Sequence, residues 1–250
     1  MKLNVLRADP AGNITLFVLS PVEKADYACV ANRLMALESF AAEQVGFIHD
    51  GRMDMEAGEF CGNASRAYGM LVARQQGVCG EVQVNVSGCD HPLSVYVTED
   101  SAECEMPLPL WVKRVDVKGN NYTLVHLGGI AHLIAENVAP SEKFFADAEP
   151  IFQEMPELEA YGVIFLDGKN MKPLVKVPAT NTLFWEGSCG SGTLAAQIAR
   201  SEGQLDGVYC SAFIQPAGIV TAEVKRHGGE IVSAKIGGPV TLDQPVEIEI

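Results

Sequence analysis

Apolar residues along this chain follow two rhythms: a period of two that marks strands and a period near 3.6 that marks helices. Alternating runs predict strands over 2–7 and 14–19, joined by a turn at Asp9-Pro10-Ala11-Gly12-Asn13, and another over 44–48. Between them, residues 23–37 read as a helix with Val30, Leu34 and Leu37 on one face. After Cys61, the residues Ala64, Ala67, Tyr68, Leu71 and Val72 fall at i, i+3, i+4, i+7 and i+8 counted from Ala64, and Gly77 supplies a stop. The design recurs after Cys189, where Leu194, Ala195, Ile198 and Ala199 form a stripe that Gly203 closes. Further strands are expected over 81–86, 93–98, 104–107, 122–126, 132–135, 161–166, 172–177, 182–185, 208–214, 220–225, 230–235 and 246–250, with a helix over 141–153. Strands outnumber helices, and each half carries one long helix before its cysteine helix and a cluster of strands after it.

Two short stretches organise this pattern: Glu59-Phe60-Cys61-Gly62-Asn63-Ala64-Ser65-Arg66 and Gly187-Ser188-Cys189-Gly190-Ser191-Gly192-Thr193. Each sets a cysteine and a glycine at the start of a helix, about half a chain length apart. Two related halves, each contributing one thiol to a shared site, follow from that repeat. Unpaired N–H groups and the macrodipole put about half a positive charge at a helix start, which is expected to lower a cysteine pKa from about 8.5. The same N–H groups bind carboxylates. Two such starts would hold an amino acid by its carboxylate and offer an acid and a base to opposite faces of its α-carbon.

At 250 residues and 48% hydrophobic, the chain can bury one large core or two medium ones. A formal net charge of -14, dispersed rather than blocked, argues against nucleic-acid or anionic-membrane partners. No apolar run reaches the length of a signal peptide or of a membrane span, so a cytoplasmic protein is expected. Seven cysteines with no C-x-x-C pair signal neither a disulfide framework nor a zinc site, and no metal is expected.

Other polar residues each have more than one reading. Asn13 either points its amide into a site or serves its own turn. Glu59 and Glu186, beside the two thiols, either oppose thiolate formation, orient a substrate ammonium, or lie solvated. His132, after the glycine pair Gly128-Gly129, is either structural or functional. No lysine sits in a pyridoxal-phosphate setting and no phosphate loop or G-x-G-x-x-G occurs, so no cofactor is indicated.

Cys61-Gly62-Asn63-Ala64 and Cys189-Gly190-Ser191-Gly192 resemble the two active-site motifs of the diaminopimelate epimerases and their relatives, the cofactor-independent two-cysteine amino-acid racemases. Gly12-Asn13 looks like the substrate asparagine of that family and Gln44 stands where a substrate-contacting glutamine is expected. His132 matches the histidine of the Asn-Pro-His segment, and Trp185-Glu186 resembles the Tyr-Glu pair. The resemblance implies an α/β (α+β) fold of two pseudo-symmetric halves, each a curved, mostly antiparallel, barrel-like sheet around a central helix. The halves are expected at 1–115 and 116–240, with the last strand, about 241–250, packing on the first half. The resemblance also implies a cytoplasmic homodimer acting on a small amino-acid substrate without cofactor or metal.

The departures bear on substrate. Where the epimerases carry an asparagine, a second asparagine and an arginine that hold the far end of diaminopimelate, this chain has Ile130, Tyr161 and Gly187. A buried distal ammonium and carboxylate would be left unpaired there. The chain is closer to the histidine racemases of opine-type metallophore synthesis. The expectation is a racemase acting on a free amino acid, histidine first, with Cys61 and Cys189 as alternating base and acid. The N–H groups of Gly62, Asn63, Gly190 and Ser191 would take the carboxylate, with Asn13, Gln44, His132 and Glu186 also contacting the substrate. Diaminopimelate or hydroxyproline epimerisation is the alternative within enzymes, and a non-catalytic thiol redox sensor is the alternative outside them.

Overall fold

The computed structural model describes all 250 residues, which divide into two compact units. The first holds Met1–Glu105 and Gly237–Ile250, the second Met106–Ile236. The halves expected from sequence end at 115 and 240; these units change at 105 and 236. Met106 already belongs to the second unit, its N–H bonded to the Ala234 carbonyl.

The first unit runs β1 (Lys2–Asp9), β2 (Thr15–Val18), α1 (Tyr27–Met35), β3 (Gln44–His49), β4 (Arg52–Met55), α2 (Gly62–Gln76), β5 (Gly80–Val86), β6 (Leu93–Val97) and β7 (Ser101–Glu105). The second runs β8 (Trp111–Val117), β9 (Asn120–His126), β10 (Ile130–Glu136), α3 (Glu142–Gln153), β11 (Ala160–Asp167), β12 (Asn170–Val177), β13 (Thr182–Trp185), α4 (Gly190–Arg200), β14 (Gly207–Gln215) and β15 (Gly218–His227). The strand β16 (Glu230–Pro239) carries the chain back to the first unit, which closes with β17 (Thr241–Leu242) and β18 (Val246–Glu249).

Both units use one wiring. In the first, β18, β1 and β2 pair antiparallel, β2 and β3 parallel, β3 and β4 antiparallel, β4 and β5 parallel, β5 and β6 antiparallel. In the second, β8, β9 and β10 pair antiparallel, β10 and β11 parallel, β11 and β12 antiparallel, β12 and β14 parallel, β14 and β15 antiparallel. A parallel pair cannot be joined by a hairpin, so each is bridged by a helix: α1, α2, α3 and α4 in turn. The repeat that the two cysteine motifs announce therefore extends over the whole chain, in a sheet-dominated α+β fold.

Each unit has one helix packed on an outer core and one almost wholly enclosed. α1 lays Tyr27, Val30, Ala31 and Leu34 on Val5, Leu16, Val45 and Phe47, with Tyr27 and Phe47 stacked at 3.8 Å. α3 does the same with Phe145, Ala148 and Phe152 against Leu133, Val163 and Phe165. Around α2, the alternation of β5, β6 and β7 turns Val82, Val84, Val86, Leu93, Val95, Val97, Ala102 and Cys104 inward. Gly69 lets helix and sheet meet, since a Cβ there would fall 2.4 Å from Val95 Cγ1. Gly77, at φ +69°, ends α2 in the left-handed region that glycine tolerates, at the stop expected from sequence.

Two differences from the expected elements stand out. Residues 23–37 are a short 3-10 turn, Lys24–Asp26, followed by α1. The strands β4, β8 and β17 were not expected. β8 buries only Val117 and interrupts its alternation with Lys113-Arg114, so its place comes from backbone pairing with β9. No helix is long and apolar enough to cross a membrane.

Candidate active site

Cys61 is the N-cap of α2 and Cys189 the N-cap of α4, in nearly the same extended conformation: φ -127°, ψ 110° and φ -123°, ψ 109°. Each sulfur accepts the N–H three residues on, from Ala64 at 3.4 Å and from Gly192 at 3.3 Å. Each carbonyl accepts the hydroxyl four residues on, from Ser65 at 2.7 Å and Thr193 at 2.5 Å. Two thiols half a chain apart thus sit in one local motif.

In the first unit, the parallel register of β2 and β3 sets Thr15 beside Gln44. The Gln44 amide Nε2 donates to Asn13 Oδ1 at 2.9 Å and Thr15 Oγ1 at 2.8 Å, and the Gln44 side chain favours the ionised form of Cys61. Asn13 Nδ2 donates to Glu43 at 2.7 Å. Gly62 and Asn63, both buried, form the first turn of α2 beside the sulfur. The approach to Cys61 is clamped: Ser87 Oγ donates to the Glu59 carbonyl at 2.6 Å, and Gly88 lies so close that a Cβ would meet Phe60 N at 2.5 Å. Glu56, on that approach, takes the Val45 N–H at 3.0 Å, and burial, with the Glu59 charge second, raises its carboxyl to about 7.

In the second unit, β10 carries His132 into the interior with no exposed surface. His132 Nε2 lies 2.8 Å from Ser191 Oγ, which is 3.5 Å from Cys189 Sγ. Burial drives the imidazole down to about 3, so it is neutral in the working range. A neutral ring with its proton on Nε2 donates to Ser191, whose hydroxyl is then free to donate to the sulfur. Burial, and after it the Glu186 carboxylate, pushes the Cys189 pKa up. Gln215 Oε1 accepts the Cys189 N–H at 2.8 Å while its Nε2 donates to Thr193 Oγ1 at 2.8 Å, fixing the first turn of α4.

Asn13, Gln44, Gly62 and Asn63 therefore gather with Cys61, and His132, Glu186, Gly190 and Ser191 gather with Cys189. Tyr161, at one of the divergent positions, turns to the α3 side, where it stacks on Phe152 at 4.7 Å and donates to Glu149 at 3.0 Å. Thr15, Glu56 and Gln215 were not singled out by sequence. For Gln215 a signal exists, since it shares the inward parity of Phe213 on an alternating strand.

The expected lowering of the thiol pKa is corrected. Burial outweighs the helix start: it raises Cys61 to about 11 and Cys189 well above its ordinary value. N–H groups at each helix start pull the other way without overcoming it. Glu59 and Glu186 oppose ionisation of their neighbouring thiols.

Among solved structures, a hydroxyproline epimerase from Agrobacterium vitis matches 99% of this chain and 92% of its own with a TM-score of 0.62, at 12% identity. That likeness establishes the fold. A curated histidine racemase of Fusobacterium nucleatum subsp. nucleatum is 34% identical over 208 residues, 77% of this chain and 78% of that protein. One from Staphylococcus aureus is 27% identical over 257 residues, 93% and 92% of the two chains. Fold and relatives define an isomerase, an amino-acid racemase. The family model described as the histidine racemase CntK N-terminal domain matches residues 2–244, and the chain belongs to this histidine racemase family.

Proposed function

We propose that this protein interconverts L- and D-histidine by a two-base mechanism in which Cys61 and Cys189, one from each unit, act on opposite faces of the α-carbon. The observation that carries this is the matched pair of cysteine N-caps in a chain of the histidine racemase family. One thiolate removes the α-proton while the other thiol returns a proton from the opposite face, and the roles exchange with direction. The N–H groups of Gly62, Asn63, Gly190 and Ser191 bind the α-carboxylate, which concentrates negative charge where the helix dipoles favour it. Asn13, Gln44 and Glu186 orient the amino acid, and His132 acts through Ser191. Burial raises both thiols and so disfavours two thiolates together, which leaves at least one thiol to donate a proton.

The reaction needs neither metal nor pyridoxal phosphate in this scheme. The enzyme is further proposed to be a cytoplasmic homodimer whose D-histidine feeds metallophore synthesis; light scattering on the purified protein reads the assembly.

In D2O, histidine should gain α-deuterium without added cofactor, and Cys61→Ser and Cys189→Ser should each lower racemisation by about 10²–10⁴-fold. Full activity in either variant overturns the two-base scheme. A panel including diaminopimelate and hydroxyproline, resolved by chiral chromatography, tests the substrate.

A further inference from the structure

In the second unit, strand register lines up one row of residues across β10, β11, β12 and β13: His132 pairs with Gly162, Gly162 with Val175, and Val175 with Phe184. Paired residues share a face of a sheet, and residues two apart on a strand return to it. His132 reaches Ser191 in the first turn of α4, so this is the face that carries the Cys189 chemistry. The next row on that face runs Ile134, Ile164 and Pro173 and ends at Glu186, whose N–H donates to the Pro173 carbonyl at 3.1 Å. Ile164 packs directly on α4, since a Cβ on Gly192 would fall 2.5 Å from its Cδ1. The opposite face carries Leu133, Val163, Leu174 and Trp185 into the core beneath α3.

Phe184 is therefore on the α4 face, two residues before Glu186. It is 42% exposed, the only phenylalanine among the large apolar side chains left open. Its neighbour Trp185, pointing the other way, packs on Phe165 at 5.8 Å and lies under the Lys172 ammonium at 4.4 Å, whereas the Phe184 ring stacks on no other ring of the chain. β10 runs alongside α4, with Glu136 at Arg200 and His132 at Ser191, so Ile130 lies beyond the helix start. By the same alternation Val177 and Thr182, which pair with one another, extend the face in that direction. Ile130 and Val177 are half-buried and Thr182 is exposed. Ahead of the Cys189 helix the sheet thus offers an apolar surface with one open phenyl ring, and Glu186 supplies its charge.

We propose that Phe184 is a specificity-determining residue whose ring stacks on the imidazole side chain of the substrate. An amino acid held by its carboxylate at the N–H groups of Gly190 and Ser191 directs its side chain along the face ahead of α4. A flat imidazole gains there, because aromatic pairs are worth more than the area they bury. A distal ammonium or carboxylate, as on diaminopimelate, meets Ile130, Val177 and Phe184 without a partner. Phe184 thus gives the racemase proposed above, on which this assignment rests, its preference for a ring.

The test is kinetic, with racemisation of L-histidine read by chiral chromatography. Phe184→Ala should raise KM about tenfold while kcat stays within about threefold, the pattern of lost binding away from the reacting carbon. Phe184→Tyr, which keeps the ring, should hold KM near that of the parent protein. An unchanged KM in Phe184→Ala overturns the inference, and so does a KM in Phe184→Tyr raised as far as in Phe184→Ala. Because Phe184 is already exposed, both variants should keep the urea midpoint of the parent; a collapse of stability in both would make the residue structural and overturn the assignment. Should the parent protein racemise nothing, the racemase reading falls by itself and calorimetric titration with L-histidine decides the assignment. Binding about tenfold weaker to Phe184→Ala supports it, and equal binding to both proteins, or none to either, overturns it.

Discussion

Cys61 and Cys189 share a backbone conformation and differ in their neighbours, so their chemistry is set one contact at a time. Ser191 is the clearest case, because its hydroxyl lies between the neutral His132 ring and the Cys189 sulfur. Ser191→Ala should lower kcat by about tenfold with KM little changed, and should cost about 1–3 kcal/mol in urea unfolding by orphaning the buried His132 nitrogen. His132 also sets an acid limit. Its folded pKa of about 3 lies below the ordinary 6.5, so the unfolded chain binds the extra proton between those values. Stability is complete above pH 6.5 and is lost as pH falls towards 3, by on the order of 4 kcal/mol. Urea midpoints of the parent protein should drop between pH 7.5 and 4, and those of His132→Gln should drop less.

At the scale of elements, α2 and α4 can be central only because small residues admit them. Gly69→Ala should destabilise the protein by about 1–3 kcal/mol in denaturant unfolding, since the new methyl meets Val95 on β6. Val95→Ala added to Gly69→Ala should recover part of that loss; failure to do so would place the strain elsewhere. Both cysteine helices, their glycine stops and the helix α3 were legible because buried helices repeat apolar residues on one face. The inward alternation of β5 and β6 was legible for the matching reason. The strand β8 was not, because its side chains are mostly exposed and only hydrogen bonding to β9 makes it a strand. Gly69 was likewise silent, since a close approach between a helix and a sheet leaves no periodicity.

At the scale of the whole molecule, the equivalence of β18 with β8 explains why the chain returns. In the second unit, β8 flanks β9; in the first, β18 takes that place beside β1. The first repeat therefore borrows its outer strand from the far end of the sequence, and Met1 and Ile250 meet through their backbones. A fragment of residues 1–105 should show no cooperative unfolding transition. Joining 237–250 ahead of residue 1 through a short glycine-serine linker should restore one, monitored by circular dichroism. Recovery of a cooperative fold by residues 1–105 alone would show the C-terminal strands to be dispensable.

By itself the sequence determined the two-half organisation, the two cysteine helix starts and most strands, because each is written in local spacing: periodic apolar residues, a thiol and glycine at a cap, a terminating glycine. It also carried the family, through the paired Cys-Gly motifs. Only the tertiary structure decided the ionisation of the thiols, where burial overrode the helix dipole, and the pairing of His132 with Ser191 and of Gln44 with Asn13. Those facts depend on which distant segments displace water around a group, and desolvation is a property of the packed chain that no local pattern encodes.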